Sequence, residues 1–200
     1  MLVNVKCVVV GDYGVGKTSL LITYTEDRFP VDYIPTVFDN PTIQVMCHGH
    51  SIYLALWDPM GGSYEQLHSL AFPETDVIVL CFSLVSRASF ENIAGSWMSR
   101  MDHYCPNTPV LLVGTKMDLR DDPEVLRQLA EKNMRVIEHS EGLQMAQQIK
   151  ATGYFEVSSL TFKGVKALFE GVIITTLHSL DPTELADKAE PINKRRCRVT

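Results

Sequence analysis

GDYGVGKT, residues Gly11 to Thr18, sets three glycines, a lysine and a hydroxyl within one short segment. The spacing is G-x-x-x-x-G-K-[ST], and the chemistry it suits is the capture of a phosphate chain. The glycines let successive backbone N–H groups turn inward around a β-phosphate, and the following helix adds the positive end of its dipole. Lys17 would bring a point charge to the β- and γ-phosphates, and Thr18 would offer its hydroxyl to Mg²⁺. Asp12, Tyr13, Gly14, Val15 and Gly16, with Lys17, Thr18 and Ser19, are therefore assigned to the nucleotide. A glycine-rich strand-to-helix turn with an incidental lysine is the competing explanation. The flanks weigh against it, because the apolar run LVNVKCVVV precedes the loop and a helical segment follows.

A second segment bears on which base is read. LLVGTKMDL closes an apolar run with Thr115, Lys116 and Asp118. A carboxylate at Asp118 can accept hydrogen bonds from both the N1–H and the exocyclic amine of guanine, a pair of donors adenine does not present. The stem of Lys116 can lie over the base plane, and Leu119 completes the turn. T-K-x-D alone is a weak pattern; its position after a phosphate loop, at the end of a strand, gives it weight.

These residues need a scaffold that brings loop ends together. The chain alternates strand-like and helix-like segments: strands over LVNVKCVVV, TIQVMC, SIYLALW, DVIVLCFSL, PVLLVGT and YFEVSS, with a hairpin turn at HGH. Helices are expected from Lys17 to Asp27, from about Ala88 to His103, over DDPEVLRQLAEKN with Pro123 at its start, over SEGLQMAQQIKA, and from Gly164 to Leu180. Ser140 is the expected N-cap of the fourth helix, with Gly153 just beyond its end. Continuous apolar strands alternating with helices predict an α/β fold, a mostly parallel six-stranded sheet covered on both faces. Ligands in such folds sit at the carboxyl ends of the strands.

Composition narrows the class. Two hundred residues, 46% hydrophobic and 21% charged, suit one globular domain, read here as residues 1–180 with a mobile tail over 181–200. A net charge of −6 argues against general nucleic-acid binding. Five cysteines without C-x-x-C spacing suit a reducing compartment, with neither a disulfide framework nor a zinc site. No apolar run reaches the length of a membrane span, and the opening segment is expected to be a strand and not a secretion signal.

VKCVVVGD, YIPTVFDN, DVIVLCFSLVS, ASFEN, CPNTPVLLVGTKMDLRDD and KGVKALFE together resemble small GTPases of the Rho family, closest to the Rac branch. The similarity runs from Val5 to Leu177. Thr115 in the base-reading loop and the extra helix near residues 124–134 are the features that separate Rho proteins from their relatives. The resemblance implies a GTP- and GDP-binding switch with Mg²⁺, acting in signalling that includes regulation of the actin cytoskeleton. Phe29 would pack against the guanine edge, and Ser158, Ser159 and Leu160 would form the last base-contacting loop; relatives usually carry Ala where Ser159 stands. Tyr33, Pro35 and Thr36 would form the first switch, with Thr36 on Mg²⁺ and the γ-phosphate. Tyr33, Ile34, Pro35, Thr36, Val37, Phe38, Asp39 and Asn40 would form the effector loop, although a proline-kinked surface loop fits their composition as well. Expected partners are effectors, exchange factors and a Rho dissociation inhibitor, with the chain itself a monomer.

LWDPMGGSYEQL, residues 56 to 67, departs from that pattern. Asp58 would hold Mg²⁺ through water, and Gly61 would meet the γ-phosphate through its N–H. The next position, where relatives place a glutamine that orients the attacking water, is Gly62. Pro59 and Met60 stand for a threonine and an alanine, and the segment is one residue shorter before Tyr64. Tyr13 occupies a glycine position beside the γ-phosphate, where a phenol is expected to crowd the water or an arginine finger. Very slow hydrolysis is the expectation, with no catalytic side chain assigned. The alternatives are a normally cycling enzyme in which Ser63, Glu65 or the Tyr13 hydroxyl substitutes, and a scaffold locked around GTP. An ATP-dependent kinase is a more distant reading, opposed by Asp118 and the missing lid.

The tail ends in NKRRCRVT. Cys197 has the spacing of a prenylation box, though Arg198 is a poor second residue and Thr200 an uncommon terminus. Lys194, Arg195, Arg196 and Arg198 would draw it to an anionic leaflet. A cytoplasmic protein associated with the inner face of the plasma membrane is expected; an unmodified basic tail with a free thiol is the alternative.

Overall fold

The computed structural model of the protein describes residues 2–31, 40–47, 50–59, 71–179 and 189–190. Six strands form the main path of the sheet: β1 (Leu2–Gly11), β2 (Thr42–Cys47), β3 (His50–Trp57), β4 (Val77–Ser83), β5 (Val110–Thr115) and β6 (Gly153–Glu156). Their order is β2-β3-β1-β4-β5-β6. Every pair on that path is parallel except β2 with β3, which run antiparallel from Thr42 opposite Ala55 to Cys47 opposite His50. The expected α/β sheet and the antiparallel pair flanking HGH are thus present, while the turn residues His48 and Gly49 lie outside the described residues.

Strand alternation explains why the central runs are apolar throughout. Val3, Val5, Cys7 and Val9 of β1 face one core, shared with Leu20 and Leu21 of α1 (Lys17–Glu26) and with Leu168, Phe169 and Val172 of the closing helix (Val165–Ser179). Val8 and Val10 face the other, beside Phe82, Phe90, Trp97, Met101 and Met145. Both faces of β1 and β4 are therefore sealed, and each fully buried Val or Leu side chain contributes about 1.5–3 kcal/mol of transfer free energy. Tyr24 of α1 stacks on Phe169 with ring centroids 3.8 Å apart, joining the two helices over the first core.

The helix expected over 88–103 is three pieces: α2 (Arg87–Asn92), a π turn (Ile93–Trp97) and α3 (Met98–Tyr104). The charged insertion forms α4 (Pro123–Glu131) as expected. Pro123 sits in its first turn, and the Asp122 carboxylate accepts from the N–H groups of Glu124 and Val125 at 2.9 and 3.0 Å.

The next helix corrects the sequence reading. α5 (His139–Gln148) is capped by Glu138, and Ser140 lies inside it. The Glu138 N–H donates to the Glu141 carboxylate at 3.0 Å, the return bond of a capping box between these two residues. Glu141 also pairs with Arg87 and Arg135, and these hydrogen bonds hold its carboxyl down at about 2. The left-handed residue after α5 is Lys150, φ 55°, while Gly153 opens β6. The closing helix, α6, begins at Val165, one residue after the expected start, and runs through Ser179; Leu180, its expected end, lies outside the described residues.

The tail also differs from the expected mobile segment at its two described positions. Ala189–Glu190 form a short β7, antiparallel to Leu2 and Val3. β4 begins to pair with β1 only at Cys7, which leaves that edge of Leu2 and Val3 open to receive a second strand. Among the described residues no helix is long and apolar enough to cross a membrane.

Candidate functional site

β1 lies between β3 and β4, so the chain leaves its central strand in both directions and opens a crevice at the carboxyl ends. The phosphate loop follows β1, Asp58 follows β3, Thr115 ends β5, and Ser158 lies just past β6. The predicted residues that the structure describes thus converge on one end of the sheet.

Two glycines of the loop are sterically required. At Gly11 a Cβ would stand 2.2 Å from the Cys81 carbonyl oxygen, because β1 and β4 approach closely there. Gly16, φ 101°, turns the loop into α1 in a conformation that other residues rarely adopt. Lys17 is 6% exposed and spans the loop beneath, donating to the carbonyls of Gly11 and Asp12, each at 2.9 Å. An ammonium has three N–H donors, so one remains for a phosphate oxygen. Burial lowers the Lys17 pKa from its ordinary value, opposed by the nearby Asp58, Cys81 and Asp12.

Thr18 and Asp58, each assigned to Mg²⁺ from the sequence, stand side by side: the hydroxyl donates to Asp58 Oδ2 at 2.5 Å. Asp58 is 3% exposed, and its Oδ1 is buried without a hydrogen-bond partner. Burial raises its pKa, against the opposing effects of the Thr18 hydrogen bond and Lys17. A buried carboxylate oxygen without a protein partner, beside a hydroxyl, is the donor set of a hard divalent cation or of water bound to one. Thr18→Asn should abolish most of the coupling between Mg²⁺ and nucleotide. Chelation with EDTA is expected to speed nucleotide release from the wild type strongly and from the variant little; equal acceleration would remove Thr18 from the metal site.

The loop expected to read the base is tied to the phosphate loop in two ways. Thr115 Oγ1 lies 2.6 Å from the Val15 carbonyl and 2.9 Å from that of Phe82, and the side chain is buried. Lys116, in the left-handed region at φ 58°, reaches across to donate to the Gly14 carbonyl at 2.7 Å. Burial lowers its pKa, with Asp118 opposing. Asp118 and Leu119 follow in a 3₁₀ turn (Met117–Leu119), and Ser158 Oγ donates to Asp118 Oδ1 at 2.5 Å. Ser158 is fully buried and also accepts from the Thr161 N–H at 3.1 Å, so the hydroxyl sets the carboxylate's angle. Thr23 Oγ1 of α1 donates to the Ser159 carbonyl at 3.3 Å, which joins the last loop to the first helix. Phe29 is half-buried, whereas Leu160 is 52% exposed.

Asp12 departs from the expectation of a simple loop position. Its carboxylate is engaged by Asn92 Nδ2 at 2.7 Å and Trp97 Nε1 at 2.8 Å. Sequence reasoning missed both donors, together with Thr23, because no local pattern links residues this far apart in the chain. Tyr13, on the same loop, is 71% exposed. Tyr33, Ile34, Pro35, Thr36, Val37, Phe38, Asp39, Gly61, Gly62 and Cys197 lie outside the described residues. Asn40, the last of the expected effector loop, is described, and its Oδ1 is buried without a hydrogen-bond partner.

A parallel sheet with a phosphate loop after its central strand, a hydroxyl–carboxylate pair for a cation and an oriented aspartate for a base defines a nucleotide-binding domain of the phosphate-loop class. The model of the Ras family matches residues 6–178, and the chain belongs to that family of small GTPases. Members bind GTP and GDP with Mg²⁺ and work as switches that engage effectors and exchange factors. Thr18 and Asp58 would hold the cation, and its charge would offset that of the β- and γ-phosphates.

Proposed function

We propose that the protein is a GTP-binding switch of the Rho branch, closest to Rac, that hydrolyses its nucleotide very slowly and recruits effectors through residues 33–40. The branch assignment is supported by Thr115 at the base-reading turn and by α4, a separately capped helix inserted between that turn and α5. Slow hydrolysis rests on Gly62 at the position of the water-orienting glutamine, the observation that carries the reading. Tyr13, exposed on the phosphate loop, adds to it by standing where an arginine finger would enter. Loss of the γ-phosphate would release both switch loops, and rare hydrolysis leaves the active form dominant. Control then falls to nucleotide exchange, expression and placement in the cell. For placement we infer an anionic leaflet at the inner face of the plasma membrane, held by Lys194, Arg195, Arg196 and Arg198 with a lipid on Cys197, and extraction by a Rho dissociation inhibitor.

The nucleotide that copurifies tests this directly. GTP is expected in freshly isolated protein, and a preparation filled with GDP would overturn slow hydrolysis while leaving guanine binding intact.

A further inference from the structure

One carboxylate ties the phosphate loop to the helix that follows β4. Asp12 takes Asn92 on Oδ2 and Trp97 on Oδ1, donors 80 and 85 residues away in sequence. Helical geometry makes this pairing unusual. An α-helix advances about 100° per residue, so side chains five apart would leave the axis about 140° from one another. Here the chain inserts a π turn over Ile93–Trp97, closed by the Met98 N–H on the Ile93 carbonyl. The wider turn swings position 97 back toward position 92, and both donors reach the same side chain. Such turns are rare, and they recur at functional sites. Trp97 is 4% exposed, with the Arg100 guanidinium 5.1 Å from its ring, whereas Asn92 lies on the outer face of α2.

We propose that Asn92 and Trp97 are positioning residues for the bound nucleotide. By occupying both oxygens of Asp12 they fix the backbone of the loop from Asp12 to Gly14, whose amides cradle the phosphates. They also turn a negative charge away from a ligand that carries several. Loss of either donor lets the carboxylate swing and adds like-charge repulsion beside the phosphates, so the nucleotide leaves sooner. The inference rests on guanine-nucleotide binding and is independent of how fast GTP is hydrolysed.

Release of a fluorescent GDP analogue from the full chain, chased with excess unlabelled GDP in Mg²⁺, tests it. Asn92→Ala changes an exposed helical position to the best helix former and leaves the fold intact. It should raise the release rate about tenfold, the worth of one hydrogen bond to a charged group. Asn92→Asp sets carboxylate against carboxylate and should release faster still, and added salt should narrow the gap between the two variants. Asn92→Gln, which keeps an amide donor, should recover part of the wild-type rate. Trp97→Phe retains the buried ring and loses the N–H, with an effect similar to that of Asn92→Ala. Wild-type release in Asn92→Ala and Asn92→Asp would overturn the proposal. So would release rates that follow only the loss of thermal stability and ignore the charge placed at position 92.

Discussion

Tyr13→Gly combined with Gly62→Gln should turn the slow GTPase proposed above into a responsive one. An unaided small GTPase hydrolyses GTP at roughly 10⁻⁴ s⁻¹, and an activating partner supplies about 10⁵-fold through a water-orienting glutamine and an arginine finger. Glycine at 62 has no side chain to align the water, and the exposed Tyr13 ring stands on the loop an arginine must pass. Single-turnover hydrolysis by the wild type should fall at or below the unaided rate, with little response to an activating protein. The double variant should respond by several orders of magnitude. Tyr13→Phe separates two roles of the ring, since it keeps the bulk and loses the hydroxyl. If the phenol obstructs, Tyr13→Phe stays slow; if its hydroxyl substitutes for the glutamine, the rate drops below wild type. A wild-type rate equal to that of the double variant would end the hypothesis and favour a normally cycling enzyme.

The legible parts of this protein are those where one residue type does one job locally. G-x-x-x-x-G-K-T announced the phosphate loop because only glycine tolerates the backbone at Gly11 and Gly16, and the apolar runs of β1, β4 and β5 announced a sheet buried on both faces. Pro123 and Asp122 marked the start of α4 through the missing N–H and the capping carboxylate. The misses share a different cause. Ser140 was the better capping residue by propensity, yet Glu138 took the position because Glu141 closes a reciprocal bond and is itself held by Arg87 and Arg135. Tertiary pairing outweighed local preference there. The π turn at Ile93–Trp97 had no signal in hydrophobic periodicity, since one extra residue in a single turn barely shifts the pattern. The carboxylate its residues meet lies across the fold, at Asp12, and no single-segment reading reaches that far. The contacts of Ser158 with Asp118 and of Thr23 with Ser159 share that cause: the resemblance placed Ser158 and Ser159 in the last base-contacting loop, but their partners appear only when strands β5 and β6 and helix α1 converge.

That convergence gives the second large effect, on the choice of base. Asp118 presents a carboxylate held by the buried Ser158 hydroxyl, on a turn anchored to the phosphate loop through Thr115 and Lys116. Guanine can donate to it from N1 and from the exocyclic amine, and each hydrogen bond to a charged acceptor is worth about 1.5–3 kcal/mol. Asp118→Ala should therefore weaken GTP binding by about 10²- to 10⁴-fold at 1.4 kcal/mol per tenfold. ATP makes neither bond, so its affinity should change little, and the two nucleotides should converge on the value set by Lys17 and the loop amides. Ser158→Ala leaves the carboxylate in place but frees its angle, and the loss should be smaller, with guanine still preferred. Competition of GTP and ATP against a fluorescent guanine nucleotide measures both variants. An unchanged preference for GTP over ATP in Asp118→Ala would mean that the base is read elsewhere.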